Sequence, residues 1–397
     1  MRSRLQRSAT RAAGPAGTWP VTPTSLPSPP SHTPRSTVVG VDIGHSYTKL
    51  VQVKRGASAS APPSVLNFAI LPTPPGCMVE GKFTDPGVVG GELRRIWRLR
   101  RVRQKQVVSV LLGAGVILRH ADFPAMPEQE LKNVVKLQSE EHIPIPAAEV
   151  ILDHFVVGRG EQDGTVRVLM AGAQRGVVDT HVKVFEQAGL TLTALEVDSL
   201  ALIRAAGHNG YLTGASPHDL FAVLDFGAAA TRLCLFSADS PQLTRNIGPG
   251  GQRLTEAVAK AASSVLQRAE QMKCEDGLTG STLVRDALLD PLNESLTECR
   301  RTLEYFFARG PRLTLKGVFL AGGGANMAGL ADLIQPFLEG VTEGRSLSGG
   351  SVVVDKLDCL NHITLDRKYE PVRRAFGPEF SVALGLALRE EPETWQG

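Results

Sequence analysis

The chain runs to 397 residues, 42% apolar and 21% charged, enough for two or three globular domains around a sizeable core. Its longest apolar run, Val107 to Leu118, is too short to cross a bilayer, and five scattered cysteines without a C-x-x-C pair indicate neither zinc site nor disulfide frame, so a reduced, cytosolic setting is expected. The formal charge of +3 misleads: residues 1–36 hold five arginines and no acid, leaving 38 basic against 40 acidic residues, a net −2, and no basic balance calling for nucleic acid.

In chain order, residues 1–36 are rich in Arg, Pro, Ser and Thr and are expected to be disordered, since they bury too little apolar surface to order themselves. They lack the apolar stretch of a secretory signal; a transit-like leader and a mis-called upstream start both fit. From Val38 the pattern is mixed α/β, with strands at 38–43, 48–53, 65–71 and 107–112 and a helix over about 86–101. That helix and the residues after it carry Arg94, Arg95, Arg98, Arg100, Arg101 and Arg103. Leu93, Ile96 and Trp97 form an inward stripe, so a solvated face is the plainer reading beside a membrane-surface or nucleic-acid role. A second unit, about 116–190, holds a helix from Glu128 to Glu141 stopped by Pro144 and Pro146, which cannot continue the hydrogen-bond ladder. Strands follow at 150–157 and 166–172, then a helix at about 176–188 closed by Gly189.

Two stretches repeat one pattern. "VVGVDIGHSYTKLVQV" and "FAVLDFGAAATRLCLF" each read as apolar strand, Asp-x-Gly, short turn, Thr, apolar strand. One copy is an ordinary hairpin as readily as a phosphate loop; two copies make Asp42-Ile43-Gly44 and Asp225-Phe226-Gly227 equivalent points in two halves of one architecture. Gly44 and Gly227 let backbone N–H groups approach phosphate oxygens, and Asp42 and Asp225 suit Mg²⁺ held through waters. Lys49, Thr48 and Thr231 add a charge and two hydroxyls. A third element, "GVFLAGGGANMAGLADLI", ends a strand in Gly322-Gly323-Gly324 and enters a helix near Met327–Gly329, a geometry for a nucleotide but also for tight packing. The stretch "GGQRLTEAVAKAASSVLQRAEQMK" reads as one helix started by Gly250-Gly251, with Glu270 and Lys273 one turn apart near its end. They reach toward a ribose and adenine edge, or form a surface ion pair worth about 0.2–0.5 kcal/mol.

In this order the pieces resemble the actin, heat-shock chaperone and sugar kinase ATPase superfamily. The resemblance is closest to the PilM-type proteins of type IV pilus assembly, relatives of FtsA. It is carried as well by "PTPPGCMVEGKFTDP", "MPEQELKNVVKLQSEEHIPIPAAEVILDHFVV", "LTLTALEVDSLALIRA", "RNIGPGGQRLTEAVA" and "PEFSVALGLALR". It implies an α/β, actin-like or ribonuclease H-like two-lobed ATPase fold with an FtsA-type inserted small lobe. The first lobe would be 37–115, continued by 191–215 and 370–390, the inserted lobe 116–190, the second lobe 216–369, and 391–397 a tail. It further implies ATP and Mg²⁺ at the residues named above, with slow or no hydrolysis, since no carboxylate is assignable as a base. His45 and Tyr47 depart from the family's small serines in the first turn.

The resemblance also implies a cytoplasmic assembly protein peripheral to the inner membrane. A bitopic PilN-like partner would hold it there by an N-terminal peptide lying beside the inserted lobe, with other pilus inner-membrane components around it and self-association left open. Two alternatives stay in view. An FtsA-like filament protein needs a terminal amphipathic helix, which the ending "REEPETWQG" does not resemble. A sugar or metabolite kinase needs an Asp base facing an acceptor hydroxyl.

Overall fold

The computed structural model describes residues 37–56, 61–79, 81–112, 115–160, 162–237, 240–309, 313–342 and 352–389. The expectations for 1–36 and for the 391–397 tail lie outside these residues. Two five-stranded sheets share one topology. The first runs Thr191–Val197, Gln106–Leu111, Thr37–Ile43, Tyr47–Lys54, Ser64–Pro72; the second runs Val353–Lys356, Thr314–Ala321, Asp219–Phe226, Ala230–Ser237, Pro241–Pro249. In both, three consecutive strands form an antiparallel meander and two more join parallel to its first strand. The central strands read as near-continuous apolar runs because both of their faces are covered. The duplication seen in two hairpins thus extends to whole lobes.

The helix Pro86–Arg100 starts where the Asp85 carboxylate accepts from the N–H groups of Gly87 and Val88, with Pro86 in the first turn, and ends at Arg101 in the left-handed region. Against it lies Arg175–Ala188, ended by Gly189 at φ 71°. The two backbones approach so closely that a Cβ on Gly90 would sit 2.8 Å from the Val184 carbonyl oxygen. Val177, Val178, Val184 and Phe185 share one core with Val89, Leu93 and Ile96. This helix therefore packs on the helix Pro86–Arg100 of the first lobe. What remains is an inserted antiparallel sheet, Val116–Pro124, Thr165–Gln174 and Val150–Arg159 in spatial order. Its helix breaks at Gln138 into Glu128–Leu137 and Ser139–His142. The lobe has its own core of Phe123, Leu131, Val135, Ile143, Val168 and Met170.

The chain also re-enters the first lobe earlier than residue 370. Cys359, Leu360, Ile363 and Tyr369 pack with Val51, Val53 and Phe68, and Thr364 exchanges backbone hydrogen bonds with Pro63 and Val65 at 2.8 and 3.0 Å. Two helices, Asp198–His208 and Ser381–Ala387, cross beside strand Thr37–Ile43. Ala201, Ala205, Ala383 and Ala387 make that crossing thin enough for backbones to touch. A single apolar cluster then runs from Val39 and Val41 through Leu202 and Ala206 to Phe221, Val223 and Phe319, joining the lobes.

Buried His181 lies 4.6 Å from the Phe83 ring, with Nδ1 2.9 Å from the Val177 carbonyl oxygen. Burial lowers its pKa from 6.5 to about 4, against a smaller opposing effect of the backbone hydrogen bond. Below pH 6.5 the unfolded chain takes up a proton that the fold refuses until about pH 4, so stability falls through that window. The whole shift corresponds to about 3 kcal/mol. Relative to its own value at neutral pH, the melting temperature of His181→Phe should fall less than wild type at about pH 4.5. Equal losses would clear the histidine of responsibility.

Candidate functional site

The hairpin repeat holds at the level of atoms. Gly44 N–H donates to the Tyr47 carbonyl at 3.1 Å, and Gly227 N–H donates to the Ala230 carbonyl at 3.1 Å. Asp42 lies opposite Lys49, and Asp225 opposite Arg232. Each pair is an ion pair: Lys49 Nζ to Asp42 Oδ2 at 2.9 Å, Arg232 Nη2 to Asp225 Oδ2 at 2.5 Å. Arg232 also reaches Asp198, at the start of the crossing helix, at 2.5 Å. Strand alternation puts the preceding threonines on the other face. Thr48 Oγ1 meets Thr73 Oγ1 at 2.9 Å and Thr231 donates to the Pro249 carbonyl at 2.7 Å, so the first hydroxyl is engaged by a neighbouring side chain and the second by neighbouring backbone.

The stretch expected as one helix is two, Gly251–Ala262 and Leu266–Asp276, parted at Ser263 with φ 49°. The break lets the second helix fold back onto the first. Lys273 Nζ donates to Glu270 at 2.7 Å, to Thr255 Oγ1 at 2.9 Å and to the Gly251 carbonyl at 3.2 Å, and the Thr255 hydroxyl also meets Glu270. Burial pushes the Glu270 carboxyl up, but Lys273 and Thr255 outweigh it and hold its pKa below the ordinary value. The first helix is seated on the second hairpin: Gly251 N–H donates to Gly227 O and Gln252 N–H to Ala228 O, both at 2.9 Å. A Cβ on Gly250 would lie 2.4 Å from Ala228 O. Gly250 is thus required by packing, and the first amides of this helix are taken by the turn.

Gly322 has φ 78°, and a Cβ there would lie 2.4 Å from Asp225 Oδ1, so only glycine fits. Its N–H donates to the Pro378 carbonyl at 3.1 Å. Gly323–Asn326 form a 3₁₀ turn, and the helix expected from Met327–Gly329 begins at Leu330. Gly324 packs on Phe226, while Gly323 faces the Glu379 carboxylate, 3.4 Å from where its Cβ would be.

Sequence reasoning assigned no role to Arg232, Asp198 or Glu379. Arg232 had a signal, for it follows Asp225 by the same offset that separates Lys49 from Asp42. Burial raises the Glu379 pKa, with Lys49 opposing it and Glu270 adding to it. The Tyr47 pKa is raised by burial, then by Glu270 and Glu379; that of His45 is lowered by burial, then by Arg232. These mutual influences put the first turn, both Asp–cation pairs, Glu270 and Glu379 within one another's electrostatic reach.

Five carboxylates there (Asp42, Asp198, Asp225, Glu270, Glu379) face three cations (Lys49, Arg232, Lys273). An excess of negative charge repels a bare polyphosphate and favours one carrying a divalent cation. Asp42 and Asp225 each commit Oδ2 to the facing cation. Among the described residues no group of three or more His, Cys, Asp or Glu is arranged to hold a metal by itself.

The family description "Type IV pilus assembly protein PilM" matches residues 40–391. The chain belongs to that family. Among solved structures, the PilM–PilN type IV pilus biogenesis complex is similar at 31% identity with TM-score 0.73, covering 89% of this chain and 98% of that one. Looser similarity extends to the ethanolamine utilization protein EutJ from Carboxydothermus hydrogenoformans: 16% identity, TM-score 0.48, 93% and 92% coverage. MreB5 of Spiroplasma citri bound to AMPPNP stands at 11% identity, TM-score 0.45, 85% and 97% coverage. The duplicated lobes are those of the actin-like fold, and in this PilM-family chain the inserted sheet interrupts the first of them. No helix among the described residues is long and apolar enough to cross a membrane.

Proposed function

We propose that this PilM-family protein binds Mg·ATP between its two hairpins and, beside the inserted lobe, the N-terminal peptide of a bitopic PilN-like partner, which holds it at the cytoplasmic face of the inner membrane. The duplicated turn carries the nucleotide reading: matching Gly N–H to carbonyl bonds and matching Asp–cation pairs recur in the two lobes. Asp42 and Asp225 would hold Mg²⁺ through waters, the turn amides at 45–46 and 228–229 would meet phosphate oxygens, and Lys273 and Glu270 would lie toward ribose and base. Asp198 and Asp225 both pair with Arg232, so neither is poised to take a proton from water, which favours holding nucleotide over rapid turnover.

Gly323→Val tests this. Gly323 has no positive φ and its nearest neighbour is a flexible carboxylate, so the fold should tolerate the change while the branched side chain enters the cleft. Calorimetric titration should show Mg·ATP affinity reduced at least about tenfold, a loss near 1.4 kcal/mol, and EDTA should weaken wild-type binding as strongly. Unchanged affinity in the variant removes the site from the cleft.

The partner reading is supported by the likeness to the PilM–PilN complex and by the second face of the inserted sheet. There Leu118, Phe155 and Val157 remain half-covered beside Val197 and Leu200 of the first lobe. An extended apolar peptide fits such a groove. Leu118→Asp should lower affinity for the partner's cytoplasmic peptide at least about tenfold and leave Mg·ATP binding intact. Wild-type peptide affinity in that variant would move the groove elsewhere.

A further inference from the structure

From Leu93 to Lys105 the chain carries seven cationic residues and no acid. Arg94, Arg98 and Arg101 recur at helical spacing along the outer helix and its cap, and with Arg103 and Lys105 they are exposed. In that stretch the ion pair among the described residues is Arg95 with Glu92. Cations in a helix's last turn complement its carbonyl end, which accounts for Arg98 and Arg100 but not for Arg94, Arg103 and Lys105. Arg94, Arg98 and Lys105 line an open cleft of about 600 Å³ that also includes Gly91, Trp97 and Gly189. Leu99 projects beside them at 61% exposure.

We propose that this face adsorbs to an anionic phospholipid surface, with headgroup phosphate in the cleft between Arg94, Arg98 and Lys105. The inference rests on the reading that the protein works at the inner membrane, where the leaflet itself is a dense array of negative charge. Cations fanned over two helical turns and a loop, with an apolar side chain among them, match a diffuse charged layer better than the discrete acids of a folded partner.

The full chain is sedimented with vesicles of pure phosphatidylcholine and with vesicles enriched in phosphatidylglycerol, no partner present. Binding is expected to the enriched vesicles alone, and to vanish in high salt. The variant R94E/R98E/R103E/K105E should bind them weaker by roughly two orders of magnitude or more, since each cation near such a surface is worth about fivefold. Its Mg·ATP affinity should equal wild type, showing an intact fold. Equal wild-type binding to both vesicle types, or wild-type sedimentation of the variant, would overturn the proposal. Binding of wild type to a polyglutamate peptide and to neither vesicle would assign the face to an acidic protein instead. Failure of the partner-peptide reading would leave the vesicle result unaffected, because no partner enters the assay.

Discussion

Replacing Arg232 with Met should cost the fold about 3–5 kcal/mol and abolish nucleotide binding with it. The guanidinium bridges two elements, the second hairpin and the crossing helix, and its side chain is 13% exposed beside carboxylates at 1% and 6%. Burial disfavours its charge, but the Asp198 and Asp225 carboxylates outweigh that and raise its pKa. Methionine fills similar volume and leaves both acids buried without a counter-charge. Desolvated charges without partners are far costlier than the lost attraction alone. Adding Asp198→Asn and Asp225→Asn should therefore recover much of the loss, a non-additivity that a simple packing defect would not show. Chemical denaturation measures it; a single-variant loss under about 1 kcal/mol would mean that the acids are solvated.

Gly385→Val should prevent accumulation of folded protein. A Cβ at Gly385 would lie 1.9 Å from the Ala201 carbonyl oxygen, and one at Gly40 would lie 2.1 Å from that of Ala383, so no rotamer relieves the clash. The helices would have to separate, opening the cluster that joins the lobes, at a cost above about 4 kcal/mol. Gly91 is the control, because its Cβ would meet nothing within 4 Å in the middle of a helix. Gly91→Ala should stabilise by about 0.5–1 kcal/mol. Thermal melts separate the two outcomes, and a soluble Gly385→Val melting near wild type would contradict the crossing geometry.

The parts of the fold legible in the sequence are those written locally. Asp42-Ile43-Gly44 and Asp225-Phe226-Gly227 repeat within hairpins whose strands are contiguous, and Gly189 marks a helix end within one turn. The bounds of Arg175–Ala188 were legible too, but an amphipathic stripe does not say which core it faces, and this one packs chiefly on the helix that carries Gly90. The break at Ser263 was missed because Ser263-Ser264 carries neither Gly nor Pro, and a serine held at φ 49° is set by the docking of Lys273 on Gly251. Glu379 was invisible as a site residue for a similar reason. Its neighbours, Gly323 and Lys49, are distant in the chain and meet it only when the lobes close around the cleft.

Hydrogen exchange on the turn amides, with and without Mg·ATP, tests the central claim most directly, because it asks whether both halves hold one ligand. Protection should rise together at 44–47, at 227–230 and at 323–326, and should be lost when Mg²⁺ is chelated. Protection confined to one hairpin, or to neither, would contradict a nucleotide clamped between the repeated turns.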